Sequence, residues 1–185
     1  MAELDGPVPG VPPLVAPPAL GRALRRGLGL GLAARAVELQ GRFFAAKREL
    51  AGRDPALALA LPWLSPLSRA LLWLGGWRPC AAYRVAEAWA GLSAEAMRRE
   101  TKAEEAAVER DMGRVQLGLL RMVAPGAGGD EAAVAAAMER LAVAADAVRR
   151  AAVQRVVAAL GPHQVLAFLA QLIRMEIGFY AMEPD

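Results

Sequence analysis

Side chains that perform most enzymatic chemistry are scarce in this sequence. Among its 185 residues there is one histidine, His163, and one cysteine, Cys80. His163 follows Pro162 at a predicted helix start and has no nucleophile beside it in the sequence, so it is a weak candidate for a general base. One Cys and one His also do not supply the ligand set of a zinc site. We therefore predict a non-enzymatic protein with no catalytic residue and no metal site.

Cys80 leaves two interpretations open. A single cysteine excludes an intramolecular disulfide, which fits a reducing compartment, the nucleus or the cytoplasm. A lone buried cysteine usually packs as a small apolar side chain, and this is the interpretation we favour. The alternative is an axial metal ligand or a redox-active thiol.

Four glutamates are spaced so that they lie near one another on a predicted helix. They are Glu100, Glu104, Glu105 and Glu109. Carboxylates on one helix bind metal in helical bundles when other helices contribute histidines, and this chain cannot supply them. Because basic residues are interleaved with the glutamates, we predict a solvated face with local ion pairs.

The composition favours one soluble helical domain. Hydrophobic residues make up 56% of the chain, enough to bury a core. The 22 basic and 19 acidic residues are interspersed, so the net charge of +3 does not indicate a basic nucleic-acid-binding face. No uninterrupted apolar run reaches the roughly 18 residues of a membrane-spanning helix, so we expect no membrane association.

Prolines and helical spacing divide the chain into two parts. Six prolines prevent regular structure at the start of the chain. They are Pro7, Pro9, Pro12, Pro13, Pro17 and Pro18, and glycines and arginines follow them. We predict a disordered Pro/Gly/Arg-rich segment over residues 1–31 and a helical domain over residues 32–182.

Six helices are predicted within this domain by apolar spacing and by capping residues. They begin near Leu32, Pro66, Pro79, Ala94, Asp130 and Pro162, and the signals that end them include Asp54-Pro55, Gly75-Gly76, Gly91 and Gly161. Short connections between helices force neighbours to run antiparallel. The predicted fold is therefore all-α, an antiparallel bundle of about six helices with two long helices in its C-terminal half.

Core positions follow from the same spacing. On the first four helices they are Leu32, Ala36, Leu39, Phe43, Ala46, Leu50, Leu67, Ala70, Leu71, Leu74, Tyr83, Ala86 and Trp89. On the long helices they are Met97, Thr101, Glu105, Val108, Met112, Val115, Leu119, Met122, Val134, Met138, Leu141, Ala145, Val148, Ala152, Val156 and Ala159. On the last helix they are Leu166, Leu169, Ile173 and Tyr180.

The most distinctive segment of the sequence reads Leu72-Trp73-Leu74-Gly75-Gly76-Trp77-Arg78-Pro79. It closely resembles the hallmark of the plant Delay-of-Germination (DOG) domain, which is related to the C-terminal domain of TGA-type bZIP transcription factors. Other positions that fit the family pattern are Phe43, Phe44, Lys47, Asp54, Trp63, Thr101, Glu104, Glu105, Gln116, Ala145, Asp146, Arg149, Pro162 and Gln164. The resemblance covers about residues 36–180. Cys80, Ala152 and Gly161 depart from it, each replacing a hydroxyl residue that is common in the family.

Physical chemistry suggests two roles for this hallmark. Gly75-Gly76 permits a left-handed helix exit, so we expect Trp73 and Trp77 to fold toward a common apolar region. Arg78 would then stack on an indole or bind a carboxylate in a bidentate manner. In one interpretation the corner only orients two helices, and Arg78 pairs with a buried acid such as Asp146. In the other it is a partner-binding surface, formed by Trp73, Gly75, Gly76, Trp77, Arg78 and Pro79.

The resemblance implies a plant regulatory protein that acts through protein partners in transcriptional or hormone signalling, including seed dormancy, abscisic acid and developmental pathways. It implies clade A protein phosphatases or TGA-type factors as partners, and a homodimer is a further expectation. Two alternatives stay open. Relatives are linked to haem and to fatty-acyl ligands, which implies a small-ligand sensor, although His163 does not match the histidines implicated in haem binding. A sequence-specific DNA-binding regulator of the TGA type needs a basic leucine zipper, and no leucine heptads precede the domain, so we do not expect direct DNA binding.

Overall fold

The computed structural model describes residues 18–123 and 130–181, and side chains over residues 29–122 and 130–179. Within these ranges the chain forms seven α-helices and no β-strand. The helices are α1 (Pro18–Arg53), α2 (Pro55–Ala60), α3 (Pro66–Leu71), α4 (Ala81–Ala90), α5 (Glu95–Val123), α6 (Glu131–Ala159) and α7 (Pro162–Ala181). The predicted all-α fold with two long helices in the C-terminal half is confirmed.

Helix α2 is the element that the sequence prediction missed. Asp54-Pro55 ends α1 as expected, but it also begins a new helix. The Asp54 side chain accepts a hydrogen bond from Leu57 N at 2.8 Å. Pro55 occupies the first turn, where its missing N–H costs nothing. Leu61 ends α2 in the left-handed conformation, with φ of 45°.

Helix α1 begins earlier than the apolar spacing indicated. Residues 1–17 of the predicted disordered segment lie outside the described residues, whereas residues 18–31 are helical. Packing accounts for one of the glycines in this part of α1. A Cβ atom on buried Gly29 would lie 3.0 Å from Cε1 of His163, so this glycine lets α7 approach α1 closely.

Helix α6 is the centre of the bundle. It packs against α1, α2, α4 and α5, while α7 packs against α1 and α4. Helix α5 makes its principal helix contact with α6 and therefore lies at the edge of the described bundle. No helix in the described part of the chain is long and apolar enough to cross a membrane.

The main core lies where α1, α4, α6 and α7 meet. Its buried members include Phe44, Trp77, Tyr83, Val156, Phe168, Leu169 and Leu172. A second cluster of buried residues lies between α5, α6 and the hallmark segment, and contains Trp73, Val108, Leu141 and Ala145. A third joins Ala51, Ala58 and Ala142.

Several predicted core positions are wrong. Leu32, Leu39, Ala46, Leu67, Ala70, Leu71, Trp89, Leu119 and Ala159 are exposed. On α1 the buried stripe is displaced by one residue, to Ala33, Gln40, Phe44 and Ala51, because this face meets α6 and α7. On α3 the buried residue is Ser68, and the leucines face outward. The side chain of Tyr180 lies outside the described residues.

Three of the predicted capping residues, Ser65, Asp130 and Gly91, are confirmed. Ser65 accepts a hydrogen bond from Ser68 N at 3.1 Å, and Asp130 accepts one from Ala133 N at 3.0 Å, as expected of helix N-caps. Gly91 ends α4 with φ of 65°, the left-handed conformation that glycine favours there. Helix α3, however, ends at Leu71 rather than at the glycine pair, because the chain is extended at Leu72.

Candidate functional site

The hallmark segment forms a tight turn between α3 and α4. Trp73 and Gly76 exchange two main-chain hydrogen bonds, of 2.6 and 3.2 Å. Leu74 and Gly75 both have positive φ, 48° and 71°. A Cβ atom on Gly75 would lie 2.1 Å from the Ala58 carbonyl oxygen. The turn therefore needs glycine here for its conformation and for its close approach to α2.

Arg149 of α6 binds the main-chain carbonyl oxygens of this turn. Its Nε donates to the Trp77 carbonyl at 2.7 Å, and Nη2 donates to the carbonyls of Trp73 and Leu74, the latter at 3.0 Å. Nη1 donates to Asp146 Oδ1 at 2.5 Å. The guanidinium, 1% exposed, therefore donates to three main-chain acceptors of the turn, including the carbonyls of Leu74 and Trp77, and buried acceptors need such donors.

Gly76 provides the space for this guanidinium. A Cβ atom at Gly76 would lie 2.9 Å from Arg149 Cζ. The two glycines of the hallmark thus have different tasks, since Gly75 adopts a left-handed conformation against α2 and Gly76 admits Arg149.

The two hallmark tryptophans point into different clusters, so the predicted common apolar region is wrong. Trp77 packs in the main core and donates from Nε1 to Glu176 at 2.5 Å. Trp73 packs in the second cluster and donates from Nε1 to Glu109 at 3.1 Å. Arg149 lies over the Trp73 ring, 5.2 Å from its centroid, in a cation–π arrangement. It occupies the space beneath the turn in which the indoles were expected to meet.

A buried ionic cluster extends from Arg149 to α1 and α7. Lys47 Nζ donates to Asp146 Oδ1 at 2.7 Å. Burial, and next the charge of Arg149, lower the pKa of Lys47 to about 8, because both disfavour a second positive charge at this point. Burial raises the pKa of Glu176 above its ordinary value. These groups tie α1, α6, α7 and the hallmark turn together at one point.

Arg78 turns away from this cluster toward α5. Its Nε donates to Glu105 at 3.0 Å and its Nη2 to Glu109 at 2.5 Å. The predicted pairing with Asp146 is wrong, because Asp146 is already bound by Lys47 and Arg149. The Glu105 hydrogen bond raises the pKa of Arg78, and this side chain remains 54% exposed.

The glutamates of α5 are therefore more than a solvated face. Glu105 is 3% exposed and accepts a hydrogen bond from the Cys80 main-chain N–H at 2.7 Å as well as from Arg78. Glu104 is bound by both terminal nitrogens of Arg155, at 2.9 and 2.5 Å, which lowers the pKa of Glu104. Of the four, Glu100 is exposed as predicted.

Burial decides which hallmark residues can contact a partner. Trp73, Gly75, Trp77 and Pro79 are buried, Gly76 is partly buried, and Arg78 is exposed. The structure brings the six residues into one turn, but its inward side chains bind the protein's own helices. The sequence analysis named Asp146 and Arg149 only as positions that fit the family pattern. It did not predict that Arg149 is the centre of the site.

Comparisons with known proteins indicate which family this sequence resembles. The family described as "DOG1: Seed dormancy control" matches residues 31–88. "Protein DOG1-like 4" from Arabidopsis thaliana is 26% identical over 160 residues, which cover 73% of this chain and 69% of the relative. The chain is similar to the DOG1 family over these residues. The stretch that this DOG1 family match covers runs from within α1 into α4 and contains the whole hallmark turn, but Arg149 and Glu176, which bind the turn, lie beyond it.

The two candidate ligand residues of this chain do not fit a haem site. Cys80 lies at the start of α4 against α5, with Sγ 3.8 Å from the Arg98 carbonyl. Burial raises the pKa of the Cys80 thiol to about 11, which disfavours the thiolate that binds metals. His163 lies against α1, and the adjacent Gln164 binds the Ala90 carbonyl at the opposite end of α4.

The two residues are thus separated by the length of α4, roughly 15 Å. Among the described residues, no group of three or more His, Cys, Asp or Glu side chains is arranged to hold a metal ion.

An exposed apolar surface precedes the DOG1 hallmark. Leu67 and Leu71 are 63% and 55% exposed and lie one turn apart on α3. Trp63, in the turn before α3, is 55% exposed. We call these three residues the α3 surface. Its outward orientation was not predicted, because a six-residue helix with leucines at this spacing has the same pattern as a core helix.

Proposed function

We propose that this protein is a non-enzymatic plant regulator of seed dormancy that acts by binding another protein through the α3 surface. The family description supports the regulatory role. The observation that carries the binding mode is the exposure of Trp63, Leu67 and Leu71 next to the hallmark turn. Large exposed apolar side chains grouped on one short segment are typical of protein-binding sites, and tryptophan is enriched among their anchors.

The hallmark turn has a supporting role in this proposal. Arg149 binds the carbonyls of Trp73 and Leu74, which directly follow α3 in the chain. Because α3 has only six residues, its orientation depends on the two turns that flank it. The buried hallmark would thus hold the α3 surface in one orientation, and a preorganised surface loses less entropy on binding.

The resemblance suggests which proteins bind there. Clade A protein phosphatases and TGA-type transcription factors are the classes it implies, and the complex would then form in the nucleus or the cytoplasm.

An affinity capture experiment tests the α3 surface. The full chain is used as bait in a nuclear extract from plant seeds, alongside a Trp63→Ala, Leu67→Ala, Leu71→Ala variant. Leu117→Ala with Leu120→Ala is the matched control, because both leucines are exposed on α5, far along the chain from the hallmark. We expect the wild type and the control to recover a phosphatase or a TGA-type factor and the α3 variant to lose it. Recovery of the same proteins by a folded α3 variant would exclude this surface.

A small-ligand sensor is a second candidate, which a groove between α5 and α6 favours. The groove has a volume of about 470 Å³, and ligand sites span roughly 300–1,000 Å³. Its apolar lining includes Val115, Gly118, Val134, Ala137 and Leu141. Its lining also includes Arg140, and Arg114 paired with Asp111. Arg140 suits a ligand with an apolar tail and an acidic head group.

Native mass spectrometry with an added long-chain fatty acid tests this second candidate. Ala137→Trp fills the groove, and Ala132→Trp places the same side chain at an exposed site on α6 that does not line it. We expect the fatty acid adduct to persist in the control and to disappear in Ala137→Trp. An adduct of equal intensity in both variants would exclude the groove.

A further inference from the structure

Two adjacent basic pairs meet where α1 and α6 pack. Lys47-Arg48 lies on α1 and Arg149-Arg150 lies on α6. In each pair one side chain is directed inward and the other is exposed. Lys47 and Arg149 are both bound to Asp146 inside the protein, whereas Arg48 and Arg150 are at the surface.

Arg48 and Arg150, the exposed residues of the two pairs, flank a small cleft. Its volume is about 100 Å³, and its lining comprises Phe44, Arg48, Ala51, Val143, Asp146, Ala147 and Arg150. The Arg150 guanidinium lies over the Phe44 ring at 5.6 Å from the centroid, and this cation–π contact holds it at the cleft. The cleft is too small for a drug-sized molecule, which needs roughly 300 Å³ or more. It has room for one anionic group.

The charged side chains around the cleft indicate that its ligand is an anion. Neither Arg48 nor Arg150 makes a salt bridge with any of the described side chains. Asp146, which also lines the cleft, does not cancel them, because it already binds two cations. Inside the protein the cations Lys47 and Arg149 face the acids Asp146 and Glu176, so the positive charge at the cleft comes from the two outer guanidiniums.

We infer that this cleft, which we call the Arg48–Arg150 cleft, binds a phosphorylated serine or threonine of a protein partner. A phosphoryl group carries a charge of about −1.5 to −2 at neutral pH, which matches two guanidiniums without salt bridges, whereas a carboxylate would neutralise only one of them. Guanidiniums bind phosphate oxygens through paired, charge-assisted hydrogen bonds. The apolar side chains of Val143 and Ala147 offer contact to the residues that flank the phosphorylated one.

This inference rests on the proposed function, because it gives the protein partner a second, phosphorylation-dependent contact. The α3 surface would supply apolar contacts, and the Arg48–Arg150 cleft would make binding sensitive to phosphorylation of the partner.

A peptide-binding experiment on the full chain tests the cleft. The probe is a fluorescent library of short peptides with a fixed phosphoserine and random flanking residues, measured by anisotropy beside identical libraries that carry serine or glutamate. We expect binding to the phosphoserine library alone. Arg48→Gln with Arg150→Gln should weaken it by about tenfold or more, in keeping with two lost charge-assisted bonds. Arg35→Gln with Arg42→Gln is the matched control, since these exposed arginines of α1 do not line the cleft and should leave binding unchanged.

Three results would overturn the inference. These are equal binding of the serine library, unchanged affinity in the Arg48, Arg150 variant, and competition by inorganic phosphate at the same concentration as the phosphopeptides, which would indicate a simple anion site. The proposed function is judged separately. If the Arg48, Arg150 variant still captures a partner from seed extract and the phosphoserine library fails to bind, only the cleft is excluded. If the α3 variant keeps every partner, only the α3 surface is excluded.

Discussion

Arg149 Nε donates a hydrogen bond to the main-chain carbonyl of Trp77 at 2.7 Å, across a sequence separation of 72 residues. The same guanidinium binds two more carbonyls of the hallmark turn and the carboxylate of Asp146. One buried cation therefore determines the conformation of the most distinctive segment in the chain. The planar fork of donors in arginine suits this task, because several acceptors lie in different directions around it.

Replacement of Arg149 should be among the most damaging single substitutions. Arg149→Met removes one donor from each of three carbonyls and one of the two cations that bind Asp146, and we expect the free energy of unfolding to fall by about 3–5 kcal/mol. Arg149→Lys should also be strongly destabilising, because an ammonium group cannot reproduce the fork. Urea denaturation followed by circular dichroism measures both.

Arg150→Met is the control for these variants. Arg150 is adjacent to Arg149 but exposed. Its replacement should therefore change the free energy of unfolding by about 0.5 kcal/mol or less. Equal losses for Arg149→Met and Arg150→Met would contradict the central role of Arg149.

Alanine substitutions at Gly75 and Gly91 form a matched pair of variants that tests the packing of the hallmark turn. Both have positive φ, 71° and 65°, but a Cβ atom would meet the Ala58 carbonyl at Gly75 and nothing within 4 Å at Gly91. Gly91→Ala should cost about 1–2 kcal/mol, the ordinary penalty for a left-handed alanine. Gly75→Ala should cost about 1–3 kcal/mol more, because the backbone must also shift. Thermal unfolding of the two variants gives the comparison, and equal melting temperatures would show that the approach to α2 is not constrained.

Substitution of Trp77 should destabilise the fold much more than substitution of Trp63. Trp77 is 3% exposed and donates to Glu176, so Trp77→Ala should cost about 3–5 kcal/mol. Trp63 is 55% exposed. Trp63→Ala should therefore change stability by about 0.5 kcal/mol or less. Denaturant midpoints compare them, and a large loss for Trp63→Ala would show that this residue stabilises the fold and would weaken the case for the α3 surface.

Lys47 should make stability depend on pH above neutrality. Burial lowers its pKa from 10.5 to about 8 in the folded protein, so between these values the unfolded chain binds more protons than the native protein. Stability therefore rises with pH in this window. Lys47 alone should contribute an increase of about 1 kcal/mol from pH 8 to pH 9, and Lys47→Met should abolish this contribution.

Two other groups bear on this measurement. The partly buried Cys80 thiol acts in the opposite direction, because its pKa is raised from 9.0 to about 11 and the native state therefore keeps a proton that the unfolded chain loses. It already offsets part of the rise between pH 8 and pH 9, and it offsets more of it above pH 9. Lys102, the other lysine, is exposed, so Lys102→Met should retain the rise. Loss of the rise in Lys102→Met, or its persistence in Lys47→Met, would contradict the assignment to Lys47.

Helix ends were the most predictable part of the fold, because each depends on a local signal. Ser65, Asp130 and Gly91 act as caps where the sequence indicated. The inward face of α1 was less predictable. Alanines and glycines are distributed all around this helix, so the sequence alone did not show that Phe44 and Gln40, and not Leu39, face α6 and α7.

The hallmark segment could be recognised from the sequence, but the hydrogen bonds that connect it to other helices could not. Eight adjacent residues identified the hallmark, and the need for a left-handed glycine followed from Gly75 itself. The partners of Trp77, Trp73 and Arg78 are on α5 and α7, and no local pattern assigns one carboxylate to each donor. Asp146 was expected to bind Arg78, but two nearer cations bind it instead.

The long sequence separation between Arg149 and the hallmark turn also affects how the chain folds during translation. During synthesis the hallmark turn leaves the ribosome long before α6 does, and α7, which supplies Glu176, follows last. Until then the turn lacks the cation that binds its carbonyls, and the Trp77 indole lacks its acceptor. The nascent chain therefore exposes this apolar corner until its C-terminal third has been translated, and a premature stop before α6 would produce a polypeptide with an unclosed hallmark that chaperones and proteases would recognise.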